Sequence, residues 1–555
     1  MYKELNLKKQ ANLKYKILII IPKYSFSDKK DYFYTFPLGL AYILAVLKKN
    51  GYDTDCLNLN HHDGTIHEII TNHLNKKNYD FVGTGNNALG YLITKIIIES
   101  VHEHTSKPKM ILGGPIITTN PELIFKNLNP DFGVIGEGEE TIIELLDSLE
   151  KNKNLEKIKG IVYKDGEGII KVTEKRALIE DLNKIPFPAF EDMGFEEQLD
   201  NMCSNLFYPY NAFDYPRLYP LLGSRSCPFQ CTFCYHEGKY RTRTMDNIME
   251  ELDLMVKKYK INMISIYDDC FAIDKKRLEE FCKRITKLRK EISWELKWSP
   301  QLTVRDVTPE TLKMMKDAGC DTISYGFESF SLDILKSMRK PITPEQIDYA
   351  FKETLKAGIA IQANFIFGDI AETTETAKIT LDYWKNNAKG QIWLDFIQPY
   401  PGSVIYKYCL DKGIIKDEIE FFKNLSLSSS NFLKMSDKIT DKEFKQLIGE
   451  VNYATSKYYQ FTKPNYIKEM DRKNYYEVEV KCPFCNEVIK YKNCFITNKF
   501  SYSFNMVCRN CHMRFFITSG LRKLAFRYNS KIKFLRNFQV NMTNRFKRIK
   551  LIFSN

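Results

Sequence analysis

The stretch Ser224–His236, SRSCPFQCTFCYH, decides how this 555-residue chain is interpreted. It places Cys227, Cys231 and Cys234 in the spacing CxxxCxxC, directly after a predicted strand. Three thiolates on one short loop can bind three irons of a four-iron, four-sulfur cluster and leave the fourth iron open for an exchangeable ligand. A structural zinc site would need a fourth ligand, for which only His236 is close, and so short a loop is crowded for a tetrahedron. The spacing therefore predicts an iron–sulfur cluster with one open iron.

The cysteine loop stands near the start of a regular alternation of strands and helices. Six apolar stretches predict strands: LYPLLGS, MISIYDD, ELKWSPQ, TISYGFES, IQANFIFG and IWLDFIQPYP. Amphipathic stretches such as RLEEFCKRITKLRKEI lie between them and predict helices. Six parallel units of this kind predict an α/β fold with a partial (β/α)6, TIM-like barrel, whose chemistry takes place at the carboxyl ends of the strands.

The barrel resembles the radical S-adenosylmethionine (radical SAM) enzymes, whose signature CxxxCxΦC has an aromatic residue where Phe233 stands. The resemblance implies that the open iron binds SAM, and that an electron from an external flavodoxin- or ferredoxin-like donor cleaves SAM to a 5′-deoxyadenosyl radical. It also implies SAM contacts from Asp268 and Asp269 after the second strand, Glu328 after the fourth and Gly368 after the fifth. For the carboxylates, the alternative is a buried side chain that caps a helix or pairs with lysine or arginine.

Two further segments resemble motifs of this family. FIFGDIAET (Phe365–Thr373) resembles the fifth-strand element GxPxET, and QPYPGS (Gln398–Ser403) resembles the sixth-strand element PxPGT. In the first, Ile370 replaces the usual proline and Ala371 replaces a following glycine. The sequence therefore leaves the shape of that loop open.

Residues 16–150 predict an open, doubly wound (Rossmann-like) domain, because five short apolar strands alternate with helical stretches. The dinucleotide fingerprint GxGxxG does not follow the first strand. A radical SAM methylthiotransferase would need three cysteines here, and the domain has only Cys56. A nucleotide and a second iron–sulfur cluster are therefore both disfavoured as its ligand.

Small residues stand at the carboxyl ends of three successive strands of this domain, where ligands of such sheets bind. They are Thr84, Gly85, Asn86, Gly113, Gly114, Pro115, Gly136 and Gly138. Glycines there let the backbone approach a flat or bulky ligand closely, or serve only as tight turns. The three segments resemble the cobalamin-binding domain fused to many radical SAM enzymes, which implies that these residues contact cobalamin.

The lower axial histidine of the DxHxxG pattern is missing from this domain. The corresponding position after the first strand reads PKYSFSDKKDYFYTFPLG, and His61 and His62 follow the second strand instead. The resemblance therefore implies cobalamin with its base displaced and without a histidine ligand, and leaves the lower face unassigned.

A second cysteine group lies near the C-terminus, with the spacing CxxC, 22 residues, CxxC. Its members are Cys482, Cys485, Cys508 and Cys511. Two such knuckles predict structural zinc in a ribbon of short strands, and the alternative is a second iron–sulfur cluster, since the same ligands bind iron. Cys494 between the knuckles and His512 beyond them are interpreted as bystanders.

The net charge of +13 is concentrated in a short tail. Leu521–Asn555 contains ten lysines and arginines and no acidic residue, so the other 520 residues account for only +3. The main body therefore gives no argument for nucleic-acid binding. The tail has apolar residues at a helical period, which suits an anionic membrane surface, an acidic partner or RNA, or a solvated end.

The N-terminus has no apolar segment before a cleavage site, and no stretch approaches about 18 uninterrupted apolar residues. We therefore expect a cytoplasmic protein with reduced cysteines, membrane-peripheral only if the tail binds lipid. The predicted organisation is an extension (1–15), a cobalamin-binding domain (16–150), a hairpin and linker (151–200), the radical SAM barrel (201–430), a helical connector (431–475), a zinc-ribbon-like module (476–520) and a basic tail (521–555).

The resemblance implies a cobalamin-dependent enzyme that transfers a methyl group to an unactivated carbon of a small-molecule or lipid-linked substrate. Two alternatives remain open. One is a radical SAM and cobalamin enzyme that catalyses cyclisation or rearrangement without methyl transfer. The other is a non-catalytic sensor or scaffold in which the metals are structural.

Overall fold

The computed structural model of the chain describes residues 15–206, 208–235, 237–271, 273–427 and 432–523. The N-terminal extension before Tyr15, His236 and the basic tail from residue 524 onward lie outside these residues. The chain divides into two compact units. Unit 1 comprises residues 1–202, 220–259 and 398–433, and unit 2 comprises residues 203–219, 260–397 and 434–555.

The predicted doubly wound domain is present in unit 1. Its strands are β1 (Lys16–Ile21), β2 (Asp53–Asn58), β3 (Phe81–Gly85), β4 (Lys109–Gly113), β5 (Phe132–Val134), β6 (Ile161–Lys164) and β7 (Ile170–Val172). Its helices are α1 (Leu38–Lys49), α2 (Ile66–Leu74), α3 (Tyr91–Glu103), α4 (Pro115–Thr119), α5 (Pro121–Leu128), α6 (Gly138–Glu150) and, after the linker, α7 (Phe195–Asn201).

The sheet order is β2-β1-β3-β4-β5-β6-β7, and β1 to β5 run parallel. The last five residues of β1 are buried, because helices cover a parallel sheet on both faces. The order reverses between β1 and β3, so the carboxyl ends of these strands border the crevice in which such sheets bind ligands.

The hairpin predicted as part of a linker instead extends this sheet. β6 pairs antiparallel with β5, and β7 pairs antiparallel with β6. Val162 of β6 packs directly over Gly133 of β5, where any side chain would clash. The hairpin covers the open edge of the short strand β5, and the domain therefore extends to Val172 rather than to residue 150.

The barrel strands also occur where the sequence predicts them. The strands are β8 (Leu218–Leu221), β9 (Ser224–Arg225), β10 (Arg241–Thr242), β11 (Met263–Ile266), β12 (Lys297–Ser299), β13 (Gln301–Leu302), β14 (Thr322–Glu328), β15 (Ala360–Phe367) and β16 (Ile392–Phe396). The helices are α8 (Met245–Tyr259), α9 (Lys275–Glu291), α10 (Pro309–Asp317), α11 (Leu332–Ser337), α12 (Pro344–Lys356), α13 (Thr374–Tyr383), α14 (Val404–Asp411) and α15 (Glu418–Leu427).

The third barrel strand is interrupted at Pro300. β12 pairs with β11 in the order β12-β11-β8, whereas β13 pairs with β14 in the order β13-β14-β15-β16. Pro300 has no amide hydrogen to donate to a ladder, although its carbonyl accepts from Ser324 N at 2.9 Å. Trp298 of β12 already bridges Cys320, just before β14, so the pairing with β11 ends at the proline and the pairing towards β14 continues past it.

The C-terminal region begins with a helix and continues as short strands. Its elements are α16 (Asp441–Tyr458), β17 (Phe461–Thr462), β18 (Tyr466–Glu469), β19 (Tyr475–Lys481), β20 (Val488–Phe495), β21 (Ser503–Val507) and β22 (Arg514–Thr518). The predicted helical connector is thus helical only to Tyr458, because β18 pairs with β19 and belongs to the module. β19 and β20 form one antiparallel hairpin, and β21 and β22 form another.

The module packs within unit 2 against the amino-terminal ends of the barrel strands. Arg514 N donates to Gln391 Oε1 at 2.6 Å, and Gln391 Nε2 donates to Arg514 O at 2.9 Å, just before β16 begins. Val507 packs on Ala360 at the start of β15. The module therefore covers the barrel end opposite to the one where such barrels carry out chemistry. Among the described residues, no helix is both long and apolar enough to cross a lipid bilayer.

Candidate active site

The three cysteines of the CxxxCxxC motif lie on a loop whose base is closed by β9 and β10. These two strands pair antiparallel, and Arg225 faces Arg241 across the ladder. Cys231 is buried, whereas Cys227 and Cys234 are partly accessible. No cysteine in the described residues forms a disulfide, so the thiols are present as metal binding requires.

The spread of these thiols fits a cluster of several irons better than one metal ion. In the described parts of the chain, only the C-terminal cysteines gather three or more potential ligand atoms within 4.8 Å of one another. The thiols of Cys227, Cys231 and Cys234 do not meet that limit, as expected where each binds a different iron. The donor set therefore fits a four-iron, four-sulfur cluster.

The segment after the sixth barrel strand packs on the cysteine loop. Ile405 N donates to Thr232 O at 3.0 Å. Gly402, in the predicted sixth-strand element, has φ 87°, and a Cβ there would lie 2.5 Å from the Tyr235 ring. Only glycine suits both the left-handed backbone and this close approach. Gly402 therefore lets the segment seat itself against the loop that bears the cysteines.

The two aspartates predicted as SAM contacts have opposite environments in unit 2. Asp268 is buried at 1% exposure, whereas Asp269 is exposed. Gln301 Nε2 donates to Asp269 O at 3.1 Å and so connects the second strand end to the interrupted third strand. Of the two, only Asp269 presents its side chain to solvent at the carboxyl ends of the strands.

Glu328 ends β14 in a left-handed conformation, with φ 59°. Lys340 Nζ donates to its carboxylate at 2.9 Å, and both groups lie directly over Gly326, where a Cβ would clash with them. The lysine pairing that the sequence left as an alternative is therefore present. SAM contact by Glu328 stays a prediction, and Lys340 would orient the carboxylate for it.

Two carboxylates shape the fifth-strand loop that lacks the usual proline. Gly368, with φ 94°, donates its N–H to Glu372 Oε2 at 3.1 Å. Asp369 Oδ1 accepts from Ala371 N at 2.8 Å and from the Ser337 hydroxyl at 2.5 Å. Side-chain hydrogen bonds thus close the turn that proline would otherwise stiffen. Burial raises the pKa of Glu372 to about 7, and the neighbouring Asp369 adds to that shift.

The residues predicted to contact cobalamin divide into two kinds. The Thr84 hydroxyl is buried and donates to Ile20 O at 2.8 Å, so it joins β3 to β1 and is not presented to a ligand. Gly138 begins α6 against Ile43, where a Cβ would lie 3.0 Å from the isoleucine side chain. These two positions serve the packing of the domain, and their contact with cobalamin stays a prediction.

Asn86 and Gly114 lock the loops after β3 and β4 together. Gly114 has φ 85°, and a Cβ there would lie 2.7 Å from Asn86 O, which accepts from Ile116 N at 3.1 Å. The Asn86 side chain covers Gly90, where any Cβ would clash with it. The neighbouring Pro115 opens α4, where its missing N–H costs nothing.

Open space remains at the edge between these loops. A Cβ on Gly113 would meet nothing closer than 3.9 Å, and Gly85 packs against the Gly113 carbonyl. Gly136, with φ 78°, faces the Glu237 carboxylate of the cysteine loop, 3.2 Å from its Cβ position. The edge thus keeps bare backbone at the strand ends, which fits a large, flat ligand such as cobalamin.

His61 is not available as a ligand from the second strand. Its Nδ1 lies 3.1 Å from Glu197 Oε2, and its Nε2 lies 3.0 Å from the Tyr34 hydroxyl. Burial lowers the pKa of His61, although Glu197 opposes the shift. Lys23, two residues after β1, is also buried and donates to the carbonyl of Gly64 at 3.1 Å. Both side chains are therefore used inside the domain.

Two glutamates of the GEGEE stretch are functional candidates that motif reading missed. Glu137 accepts from Arg225 at 3.0 Å and from Arg241 at 2.9 Å, and Glu139 pairs with Arg225. A signal was present in the sequence, since Arg225 and Arg241 flank the cysteine loop and glutamates alternate with the glycines of GEGEE. Nothing in the sequence, however, indicates that the two segments meet.

The C-terminal cysteines form a compact group in unit 2. The sulfurs of Cys482 and Cys511 lie 3.7 Å apart, as do those of Cys485 and Cys508, and all four lie within 4.8 Å of one another. A tetrahedron with zinc–sulfur bonds of about 2.3 Å has edges of about 3.8 Å. The group can therefore hold a single metal ion. Cys494 lies outside it, buried with its sulfur 3.3 Å from the Ser204 hydroxyl.

Comparisons with known proteins identify two domains in this chain. The B12 binding domain matches residues 29–146, and the radical SAM superfamily matches residues 221–383. An uncharacterized methyltransferase of Pyrococcus horikoshii is 30% identical over 410 residues, which cover 72% of this chain and 84% of the relative. The cytidylyl-2-hydroxyethylphosphonate methyltransferase of Streptomyces wedmorensis is 23% identical over 445 residues, covering 70% of this chain and 80% of that protein.

A solved structure shares the fold. The radical S-adenosylmethionine methyltransferase TsrM from Kitasatospora setae, with cobalamin and a 4Fe–4S cluster bound, superposes with a TM-score of 0.57 at 16% identity, covering 71% of this chain and 75% of that chain. Neither domain match extends to the C-terminal cysteines, so their metal stays a prediction. The predicted enzyme class and three cofactors, the 4Fe–4S cluster, SAM and cobalamin, are confirmed. This chain belongs to the radical SAM enzymes that carry a B12-binding domain.

Proposed function

We propose that this enzyme transfers a methyl group to an unactivated carbon atom of a small-molecule or lipid-linked substrate, with a flavodoxin- or ferredoxin-like protein as electron donor. The observation that carries the proposal is the 30% identity along 84% of a relative named as a methyltransferase. When bound, the cluster and SAM supply radical chemistry and cobalamin supplies the methyl group.

The residues of unit 1 support this proposal. The cysteine loop and the bare strand ends of β4 and β5 belong to one compact unit. Glu237 of that loop approaches Gly136 at the strand end, so the two cofactor-bearing segments adjoin. The role of the protein is to hold the cofactors in position relative to one another and to shield the reacting atoms from water.

The test is the mass of the product. The enzyme would be incubated anaerobically with SAM carrying a labelled methyl group, a reductant and the products of neighbouring genes as candidate substrates. Methyl transfer predicts a product heavier by one labelled methylene unit. A product without the label would support cyclisation or rearrangement instead. A holoenzyme that forms no 5′-deoxyadenosine would favour the sensor, and Cys231→Ala is the control that should form none.

We also propose that Cys482, Cys485, Cys508 and Cys511 hold one structural zinc ion. Two opposite sulfur pairs at 3.7 Å support a single tetrahedral ion rather than a four-iron cluster, whose thiolates bind separate irons. Four protein ligands leave no open position for a reactant. The proposed role is to fold the two hairpins that cover the base of the barrel.

Metal analysis distinguishes zinc from a second cluster. Cys508→Ser should lose one zinc per chain and keep the iron and labile sulfide of the wild type. If the wild type contains no zinc, and the iron and sulfide contents both fall in Cys508→Ser, the cysteines hold a second cluster. Cys494→Ser is the matched control, because this thiol lies in the same module but outside the group.

A further inference from the structure

We propose that Glu137 and Glu139 position the cysteine loop against the cobalamin-binding strand ends by pairing with the arginines that flank the loop. The proposal deepens the function above and rests on it. It assigns a task to the GEGEE stretch that its glycines do not explain. Glu137 and Glu139 are positioning residues, since they act through Arg225 and Arg241 rather than on a cofactor.

The base of the loop needs a negative charge. Arg225 and Arg241 face each other across a ladder of only two residue pairs, and like charges in that relation are destabilising. The carboxylate of Glu137 lies between them, with Oε1 3.0 Å from Arg225 Nη1 and Oε2 2.9 Å from Arg241 Nη1. One side chain thus neutralises the repulsion that would otherwise open the base of the loop.

The network is withdrawn from solvent. The side chains of Arg225, Glu137, Glu139 and Arg241 are 17%, 13%, 9% and 5% exposed. Burial raises the pKa of Glu137, but the two arginines outweigh it and hold this pKa below its usual value, so the carboxylate is ionised. With Glu139 on Arg225, two positive charges meet two negative charges. Removing one of them leaves a buried charge without compensation, which is costly.

The position of the network gives it a function beyond stability. Glu137 stands between Gly136 and Gly138, where β5 ends and α6 begins. Arg225 stands two residues before Cys227. Glu137 is held in turn by the linker, since Oε2 accepts from Ile179 N at 2.8 Å. A shift in this network therefore moves the cysteine loop relative to the strand end that Glu237 approaches from the other side.

The experiment compares two variants with one control in the anaerobically purified holoenzyme. Glu137→Gln keeps the shape of the side chain and removes its charge. Arg225→Lys keeps the charge but cannot reach two carboxylates at once. The control is Asp131→Asn, because the Asp131 carboxylate pairs with Lys109 at 2.8 Å at the amino-terminal ends of β5 and β4, away from the loop and the GEGEE stretch.

Two measurements are decisive, with iron and cobalamin contents measured alongside. The hydrogen-exchange rates of the amides of residues 226–240 should be at least about tenfold higher in both variants than in the wild type. In the control these rates should equal those of the wild type. The midpoint potential of the cluster should shift upward in Glu137→Gln, because an uncompensated positive charge beside the loop favours the reduced cluster. Exchange and potential equal to those of the wild type would overturn the proposal, and so would equal changes in the control.

This design separates the two proposals. Hydrogen exchange reports on the loop whether or not the enzyme methylates a substrate. A wild type that forms 5′-deoxyadenosine but no methylated product contradicts the proposed function and leaves the positioning role standing. Unchanged exchange in both variants, with a methylating wild type, refutes the positioning role alone.

Discussion

Glu372 is a buried carboxylic acid, 2% exposed, whose pKa burial raises from 4.5 to about 7. Between these pH values the folded protein keeps a proton that the unfolded chain has lost. The contribution of Glu372 to the free energy of unfolding should therefore fall as pH rises through this window, by at most about 3 kcal/mol. Glu372→Gln should flatten the dependence, because glutamine keeps the shape and cannot ionise.

Urea unfolding at several pH values between 5 and 8 measures this effect. Glu375→Gln is the matched control, since Glu375 is exposed on the first turn of the same helix. It should leave the pH dependence as in the wild type. A pH dependence of Glu372→Gln equal to that of the wild type would contradict the assignment of a protonated Glu372.

Gly402 is the residue on which the seating of the cysteine loop depends most directly. Gly402→Ala would strain a backbone with φ 87° and drive a methyl group into Tyr235, at a cost of about 1–3 kcal/mol for the overpacking. We expect reduced iron incorporation and faster proteolysis of the loop. Iron analysis after anaerobic purification checks the first.

Gly413→Ala is the control for backbone strain alone. Gly413 has φ 64° but no atom within 4 Å of its Cβ position. It should lose stability without losing iron. Equal iron loss in both variants would show that strain, rather than contact with Tyr235, disturbs the loop.

At the scale of elements, the contact between β22 and the start of β16 joins the module to the barrel. The Arg514 guanidinium lies 3.7 Å above the Trp393 ring, is almost fully buried and donates to Gly390 O at 2.6 Å. Arg514→Ala should lower the free energy of unfolding by about 3–5 kcal/mol, because it removes a buried charged side chain and leaves a cavity.

Unfolding followed by tryptophan fluorescence suits this test, since Trp393 lies under the guanidinium. The matched control is Arg472→Ala, because Arg472 is an exposed arginine 4.0 Å above the Tyr475 ring in the same module. It should cost no more than about 1 kcal/mol. Similar losses in the two variants would mean that β22 does not hold the module to the barrel.

The same scale shows why some elements resisted prediction. The strand ELKWSPQ was predicted as one piece, and Pro300 divides it into β12, which pairs with β11, and β13, which continues the pairing towards β14. The hairpin β6–β7 was predicted correctly as a hairpin, but its membership in the sheet depends on Val162 meeting Gly133, which are 29 residues apart. Local patterns report strands, and pairing partners are chosen at long range.

At the scale of the whole molecule, cobalamin should stabilise unit 1 selectively. A ligand at one hundred times its dissociation constant adds about 2.7 kcal/mol to the stability of the part that binds it. Hydrogen exchange with and without added hydroxocobalamin should show protection in the loops after β1, β3, β4 and β5. Exchange in β19 to β22 should stay the same. Protection confined to the module would contradict the assignment of the binding domain.

The sequence alone determined the enzyme class of this protein and its three confirmed cofactors, the 4Fe–4S cluster, SAM and cobalamin. CxxxCxxC with Phe233, and each CxxC knuckle taken by itself, are local patterns in which the donors stand only a few positions apart. The alternation of strands and helices is equally local, so both domain folds followed from it. Ligand type and fold class are therefore readable without knowledge of distant contacts.

Only the tertiary structure decided which charges meet. Glu137 lies 88 residues from Arg225 and 104 from Arg241, and the Thr84 hydroxyl donates to Ile20 O, 64 residues away in the chain. The pairing of Glu328 with Lys340 depends likewise on a turn after β14. No local sequence pattern identifies the partner of a charged or polar residue, since burial and packing select that partner only once the chain has folded.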